Sequence, residues 1–144
     1  LTYIVWHLFS WAGLAVFILQ AGFSVVLLEC LNYIEHYGLS RKELAPGHYE
    51  PVTIKHSWNA PYAVQNIFLL KLQRHSDHHE NPYKPYQNLC SYDESPTLPA
   101  GYGICIAAAT CPPLWFAMMN PLAQKANKTG AIPLEDLEKS SFLL

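Results

Sequence analysis

The chain has 144 residues, of which 51% are hydrophobic and only 14% are charged, with a formal net charge of −2 at pH 7. This length suffices for one ordinary domain, and a near-neutral charge without a basic block argues against nucleic acid as a partner.

The four cysteines include no C-x-x-C pair. This argues against an iron–sulfur, rubredoxin-type or zinc-ribbon site, so we expect structural thiols.

The first 37 residues are almost continuously apolar, and residues 1–28 contain no Asp, Glu, Lys or Arg. Residues 14–37 would form a helix of about 36 Å, longer than the ~30 Å hydrocarbon core of a bilayer. Gly13 is the predicted break, which makes residues 1–10 the end of a preceding transmembrane helix, and Gly38 suits the C′ position. A buried helix of a large soluble protein is the alternative.

The apolar start has no initiator Met, basic region or cleavage site, so we expect part of a longer chain and not a signal peptide.

The distribution of positive charge favours the membrane interpretation. Every Lys and Arg lies beyond Gly38, namely Arg41, Lys42, Lys55, Lys71, Arg74, Lys84, Lys125, Lys128 and Lys139. The positive-inside tendency then predicts that the chain after residue 38 faces the cytoplasm.

The next two segments are predicted to be a loop and a helix. Residues 38–58 are mixed and polar without periodicity, which indicates a loop. Asn59 is a good N-cap and Pro61 falls in the first turn of a predicted helix over residues 59–79. Its apolar residues predict burial by protein or lipid.

A second uncharged run ends the apolar part of the chain. Residues 98–123 are interrupted by Pro112 and Pro113, and each half is too short to span a bilayer, so we predict an interfacial or re-entrant helix pair. Residues 124–144 are predicted to be a mobile polar tail, with room for a short helix after Pro133. The apolar span among these elements predicts an integral-membrane protein.

Four histidines are the candidate metal ligands. On the predicted helix, the i, i+3, i+4 spacing of His75, His78 and His79 puts three imidazoles within about 100° of arc. Imidazole is the commonest neutral metal ligand, and one helical face can present several rings to an ion or ion pair. His36 ends the apolar span. Surface or hydrogen-bonded histidines are the alternative, which the predicted membrane setting weakens because ionisable groups at membrane depth tend to be functional.

Two carboxylates adjoin these candidate ligands. Glu35 and Asp77 can each accept an N–H bond from another ligand's ring, or they can be solvated carboxylates. Imidazoles that leave open positions suit Fe(II), whereas a closed tetrahedral set favours structural zinc. The sequence does not separate these metals.

Five segments in order resemble the motifs of the integral-membrane alkane monooxygenases (alkane 1-monooxygenases). These are residues 32–39 (NYIEHYGL), 56–59 (HSWN), 72–79 (LQRHSDHH), 92–96 (YDESP) and 98–103 (LPAGYG). Their spacing also resembles the family from about residue 2 to 121.

The resemblance implies that residues 1–123 are the C-terminal part of a non-haem di-iron enzyme, an all-α, integral-membrane helical bundle with six transmembrane helices. Its metal site would face the cytoplasm from the cell inner membrane. The family uses nine histidine ligands, of which His36, His75, His78 and His79 would be four by matched position. The other five come from two upstream motifs absent from this chain, so this segment alone is expected to be inactive.

Beyond the ligands, the resemblance assigns no catalytic residue. His56 and Trp58 lie in a matched segment outside the family's ligand motifs. A positioning role for His56 and a site-lining role for Trp58 are the weaker expectations.

The implied reaction is O₂-dependent hydroxylation of a medium- or long-chain alkane at its terminal carbon, which gives a 1-alkanol. Two iron ions perform it, and electrons come from rubredoxin, served by a rubredoxin reductase. Lys71, Arg74 or Lys84 would dock that acidic partner.

Two alternatives stay open. Another membrane histidine-box enzyme, an acyl desaturase or a hydroxylase of aromatic side chains, shares the His-x-x-His-His motif. A metal-binding membrane subunit without turnover is the other.

Overall fold

The computed structural model describes residues 1–62 and 67–139 and is mostly helical. Its helices are α1 (Thr2–His36), α2 (His75–Glu80), α3 (Tyr102–Ala109), α4 (Pro112–Thr129) and α5 (Leu134–Lys139), with a 3₁₀ turn at Tyr86–Asn88 and two strands, β1 (Glu43–Ala45) and β2 (His48–Tyr49). The chain divides into two compact units, Leu1–Asn32 and Tyr33–Leu144.

The first unit consists of most of α1. Among the described residues, α1 is the one helix long and apolar enough to cross a bilayer. Its interruption lies at Ser10, where φ is 61° and ψ is −169°, and not at Gly13 as predicted, because a positive φ cannot continue a right-handed helix. Leu19 and Phe23 are 72% and 69% exposed, which leaves this apolar surface for lipid or for further protein.

The loop predicted over residues 38–58 contains a small hairpin. Strand β1 pairs antiparallel with β2, and Gly47 has a φ of 76° in the turn between them. The N–H of Gly47 donates to Oε1 of Glu43 over 2.8 Å. The prediction missed these strands because they are short and exposed, so burial imposes no apolar alternation on them.

The continuous helix predicted over residues 59–79 is wrong. Helix α2 begins only near its end, and Leu70 and Lys71, with φ of 49° and 61°, leave the right-handed helical region. Residues 63–66 of the predicted helix lie outside the described residues.

Long-range backbone pairing explains why the start of that segment is not helical. The N–H of Asn59 donates to the carbonyl of Pro96 over 2.9 Å, and the N–H of Ala60 donates to the carbonyl of Gln73 over 3.0 Å. These donors are used by tertiary contacts, which override the local helix-start signal.

Two helices, α3 and α4, lie in the segment predicted as an interfacial or re-entrant helix pair, and they pack against each other. Pro112 begins α4, since its missing N–H would have no intrahelical partner there. Tyr102, Trp115 and Met119 are fully buried and form much of the core. Gly130 ends α4 in the left-handed conformation, with a φ of 77°.

Part of the polar tail predicted over residues 124–144 is instead packed structure. Helix α4 continues past residue 123, and Ala126, Ile132 and Leu137 are buried. These scattered apolar residues reach the core because the chain turns back after α4. Residues 140–144 lie outside the described residues.

Gly38 follows the end of α1, as predicted. Its φ is 68°, and a Cβ atom at this position would lie 2.7 Å from Cβ of Ala123. Its carbonyl accepts a hydrogen bond of 2.8 Å from Nδ2 of Asn127. The chain therefore needs glycine here for both conformation and space.

Candidate metal centre

Three of the four candidate ligands converge. Nε2 of His75 lies 3.2 Å from Nε2 of His36 and 2.8 Å from Nε2 of His79. The ligand atoms of all three lie within 4.8 Å of one another. Two nitrogens bound at about 2.1 Å to one ion lie about 3.0–3.4 Å apart for angles of about 90–109°. The 3.2 Å spacing falls in this range and the 2.8 Å spacing is slightly shorter, so the three nitrogens lie close enough together to share one metal ion.

The protonation of these rings also fits a cation. Burial, followed by the charges of His79, His36 and His78, lowers the pKa of His75 to about 3. Burial and the neighbouring rings also lower the pKa of His79. In neutral imidazoles the Nε2 lone pairs point toward one another. One ring proton can bridge only one of the two nitrogen–nitrogen contacts, whereas a metal ion can bond to all three nitrogens.

The outer nitrogen of His36 faces protein and not the cluster. Its Nδ1 lies 3.4 Å from the carbonyl oxygen of His56 and 3.4 Å from Oγ of Ser57. A histidine ligand usually donates its other ring N–H to such an acceptor, which fixes the ring orientation. Residues 56–57 therefore orient His36 with Nε2 toward the cluster.

Trp58 anchors the end of α1. Its backbone N–H donates to the carbonyl of Glu35 over 2.8 Å, and its indole Nε1–H donates to the carbonyl of Tyr37 over 2.8 Å. Carbonyls in the last turn of a helix lack intrahelical partners, so these bonds fix the turn that carries His36. The indole is fully buried.

Hydrogen bonds among buried polar side chains hold the start of α2. Oδ1 of Asn59 accepts from the N–H of Ser76 over 3.0 Å, and Nδ2 of Asn59 donates to Oγ of Ser76 over 2.7 Å. Oγ of Ser76 also lies 3.1 Å from Oγ of Ser95. All three residues are buried. A helix of six residues is not stable alone, so these contacts hold the ligand helix in place.

Asp77 anchors the chain that follows α2. Its carboxylate accepts from Nζ of Lys84 and the N–H of Cys90 over 2.7 Å each, from Nδ2 of Asn81 over 2.9 Å and from the hydroxyl of Tyr92 over 3.4 Å. Burial raises its pKa, but these donors outweigh burial and lower it overall. None of these partners is an imidazole, so the carboxylate ties residues 81–92 to α2.

Glu35 lies beside the histidine cluster. Its Oε2 is 3.4 Å from Nε2 of His75, and its Oε1 accepts a 2.5 Å hydrogen bond from the hydroxyl of Tyr102. Both side chains are buried. The carboxylate thus faces the cluster with one oxygen and a neutral phenol with the other.

His78 lies apart from the convergent group. Its ring centroid is 6.2 Å from that of His75 and 5.9 Å from that of His79. It is exposed and lines an apolar cavity of about 360 Å³ with Leu72, Leu89 and other residues. His78 therefore borders the cluster on the side of an apolar space.

The side chain of His56 is used elsewhere. Its Nε2 lies 3.2 Å from Oε1 of Glu50, and its Nδ1 accepts from the N–H of Thr53 over 3.0 Å. Only its backbone carbonyl faces His36.

Comparison with known proteins places the chain in a family. Residues 1–108 match the family model described as fatty acid desaturase. The chain belongs to the fatty acid desaturase family.

The curated relatives that the chain resembles include monooxygenases. The chain is similar to alkane 1-monooxygenases 1 and 2 of Pseudomonas aeruginosa, at 48% and 50% identity over 113 residues, which cover 78% of this chain and 30% of each relative. It is 47% identical to the alkane 1-monooxygenase of Acinetobacter baylyi over 123 residues, which cover 85% of this chain and 29% of that relative. The resemblance predicted from the motifs is confirmed, and the chain spans about 30% of the length of these relatives.

The sequence predictions missed the residues that support the ligands in this family member. Asn59, Ser95 and Tyr102 lie in segments that carry the family resemblance, but no ligand chemistry marked them. Their position in matched segments was the one available signal. Lys84, the partner of Asp77, had no local signal because the ion pair forms only through the fold.

Proposed function

We propose that this chain is the C-terminal part of an integral-membrane, non-haem di-iron alkane 1-monooxygenase. It contributes four ligands, His36, His75, His78 and His79, to the metal site. The reaction is O₂-dependent terminal hydroxylation of a medium- or long-chain alkane to a 1-alkanol. The remaining ligands come from outside this chain, so the segment alone is inactive.

The observation that supports this proposal is the convergence of His36, His75 and His79 around one point. We assign these three rings to one iron and His78 to the other, because the ring of His78 lies outside the convergent group. The similarity to alkane 1-monooxygenases supports iron over zinc, and the imidazole set leaves positions for O₂.

The bound irons supply the oxygen chemistry, and the protein supplies orientation and an apolar environment. His56 and Ser57 orient the ring of His36, while Trp58 fixes the helix end that carries it. The apolar cavity beside His78 is suited to contact with a hydrocarbon chain.

We further propose that α1 is one of six transmembrane helices in the cell inner membrane and that the metal site faces the cytoplasm. The long apolar helix and the positive charges beyond Gly38 support this orientation. An alkane partitions into lipid, so a membrane site receives its substrate from the bilayer.

Rubredoxin, reduced by its reductase, is the proposed electron donor. Among the three cations proposed for docking, Lys84 pairs with Asp77, and Arg74 donates to the carbonyl of Leu89. Lys71 donates to the carbonyl of Gln87. Lys71→Glu is the docking test, since it reverses a charge at the cost of one backbone contact and leaves the Lys84–Asp77 pair intact. Unchanged electron transfer from rubredoxin at low salt would argue against docking at this residue.

An acyl desaturase is the main alternative, and the description of the matching family model supports it. An aromatic side-chain hydroxylase and a non-catalytic metal-binding subunit are the others. Octane, an acyl substrate and xylene should be supplied in turn to the intact protein with rubredoxin, its reductase and NADH. Detection of 1-octanol by mass spectrometry supports the proposal, and an exclusively desaturated acyl product contradicts it.

Metal analysis provides the second test. The intact protein should hold two irons, and His36→Ala, His75→Ala and His79→Ala should each reduce bound iron and abolish hydroxylation. A single zinc, or full activity in any of these variants, would contradict the ligand assignment. His7→Ala, which changes a histidine outside the four proposed ligands, is the matched control.

A further inference from the structure

The segment 98–103 resembles the family but contains no proposed ligand, and its Tyr102 reaches the metal centre through Glu35. The hydroxyl of Tyr102 donates to Oε1 of Glu35 over 2.5 Å, and Oε2 of Glu35 lies 3.4 Å from Nε2 of His75. Tyr102 is 1% exposed and Glu35 is 2% exposed. The contact is therefore shielded from water, which strengthens its electrostatic effect.

Glu35 differs from the other acid beside the ligands in how its charge is balanced. Asp77 forms an ion pair with Lys84 and accepts three further hydrogen bonds. Glu35 accepts from a neutral phenol on one side and faces the imidazole cluster on the other. Because the imidazoles bring no charge to a dication, Glu35 is, among the described residues, a carboxylate placed to offset the charge of the metal.

The phenol also restricts where that charge lies. A carboxylate on a two-carbon stem can rotate away from the cluster unless one oxygen is held. Tyr102, packed in the core on α3, holds Oε1 and leaves Oε2 on the side of His75. Burial, followed by the charge of Glu35, raises the pKa of Tyr102, so the phenol stays protonated and donates the bond.

We propose, on the basis of the proposed function, that Tyr102 is a positioning residue of the metal centre. It holds Glu35 so that one carboxylate oxygen faces the iron bound by His36, His75 and His79. Glu35 thereby supplies a negative charge, and an oxygen donor within reach, to an otherwise neutral nitrogen set.

The test measures metal binding and not turnover. Tyr102→Phe keeps the ring and removes the hydroxyl, and we expect its Fe(II) affinity in the intact protein, measured by chelator competition, to fall about 10- to 100-fold. The absorption bands of the Co²⁺-substituted protein should shift as well, because they report ligand geometry. Glu35→Gln keeps the side-chain shape and removes the charge, so it should reduce affinity in the same range.

Tyr62→Phe is the matched control. Tyr62 is a half-buried tyrosine, and its hydroxyl donates to the carbonyl of Leu98 over 2.9 Å. Tyr62→Phe should lose some thermal stability with an unchanged Fe(II) affinity and Co²⁺ spectrum. A purely structural role for Tyr102 predicts the same pattern in both variants.

The double variant decides whether Tyr102 acts through Glu35. In the Glu35→Gln background, Tyr102→Phe should reduce affinity by less than about threefold further, because coupled residues are not additive. Full additivity, or an unchanged affinity and spectrum in Tyr102→Phe, would overturn the proposal. If Tyr102→Phe does not fold, an unchanged affinity in Glu35→Gln would overturn it alone. If His75→Ala loses iron while the Fe(II) affinity of Tyr102→Phe is unchanged, only this inference is wrong and the proposed function stands.

Discussion

Replacing Asp77 with Asn tests whether its carboxylate holds the ligand helix to the chain that follows it. One oxygen, Oδ2, accepts from Nζ of Lys84 and from the N–H of Cys90 over 2.7 Å each. The other, Oδ1, accepts from Nδ2 of Asn81 over 2.9 Å and from the hydroxyl of Tyr92 over 3.4 Å. An Asn side chain replaces one of these oxygens with an NH₂ group. That group faces either Nζ of Lys84 and the N–H of Cys90, or Nδ2 of Asn81 and a Tyr92 hydroxyl that can turn to accept, so one or two donors lose their acceptor.

The expected loss follows from these contacts. Hydrogen bonds to a charged group contribute about 1.5–3 kcal/mol each, so losing one or two of them costs about 1.5–6 kcal/mol. This is a large part of the ~5–15 kcal/mol that stabilises a typical domain. Because Asp77 lies between the ligands His75 and His79 on one short helix, bound iron should decrease together with stability.

The assay is thermal unfolding of the intact protein in detergent, with iron content measured on the same samples. Asp93→Asn is the matched control, since Asp93 is an exposed acid in the same stretch of chain and should change stability by no more than about 0.5 kcal/mol. If Asp77→Asn and Asp93→Asn unfold at the same temperature and hold the same iron, the carboxylate does not anchor α2 and the reasoning fails.

Two further predictions concern the packing of the second unit. Gly38→Ala should destabilise the protein by about 2–5 kcal/mol, because φ is 68° and the new Cβ would lie 2.7 Å from that of Ala123. Gly103→Ala, on a helix with no atom within 4 Å of the added Cβ, should be neutral or stabilising. Equal unfolding temperatures for the Gly38→Ala and Gly103→Ala variants would contradict this difference. Burial raises the pKa of Cys105 to about 11, so at pH 8 iodoacetamide should label exposed Cys111 long before Cys105; equal labelling rates in mass spectrometry would refute this burial.

The residues that carry the family resemblance divide into two roles in this structure. His36, His75 and His79 converge as candidate ligands, whereas Asn59 and Ser95 hold α2 through Ser76. A six-residue helix cannot fix three rings by its own stability. The non-histidine motifs therefore supply the rigidity that a preorganised metal site needs.

The sequence by itself determined the elements whose cause is local. The long apolar helix, the glycine after it and the start of α4 at Pro112 follow from hydropathy, backbone conformation and proline chemistry. The candidate ligands were also recognisable, because the spacing of His75 and His79 places both rings on one side of a helical turn.

Only the tertiary structure decided which of these residues meet. It placed His36, distant in sequence, against His75, and it ended the predicted 59–79 helix by pairing Ala60 with Gln73. It also gave the two carboxylates different roles, since Asp77 forms an ion pair with Lys84 and Glu35 accepts a hydrogen bond from Tyr102. Contacts between distant residues depend on the packing of the whole unit, which local patterns of hydropathy and charge do not specify.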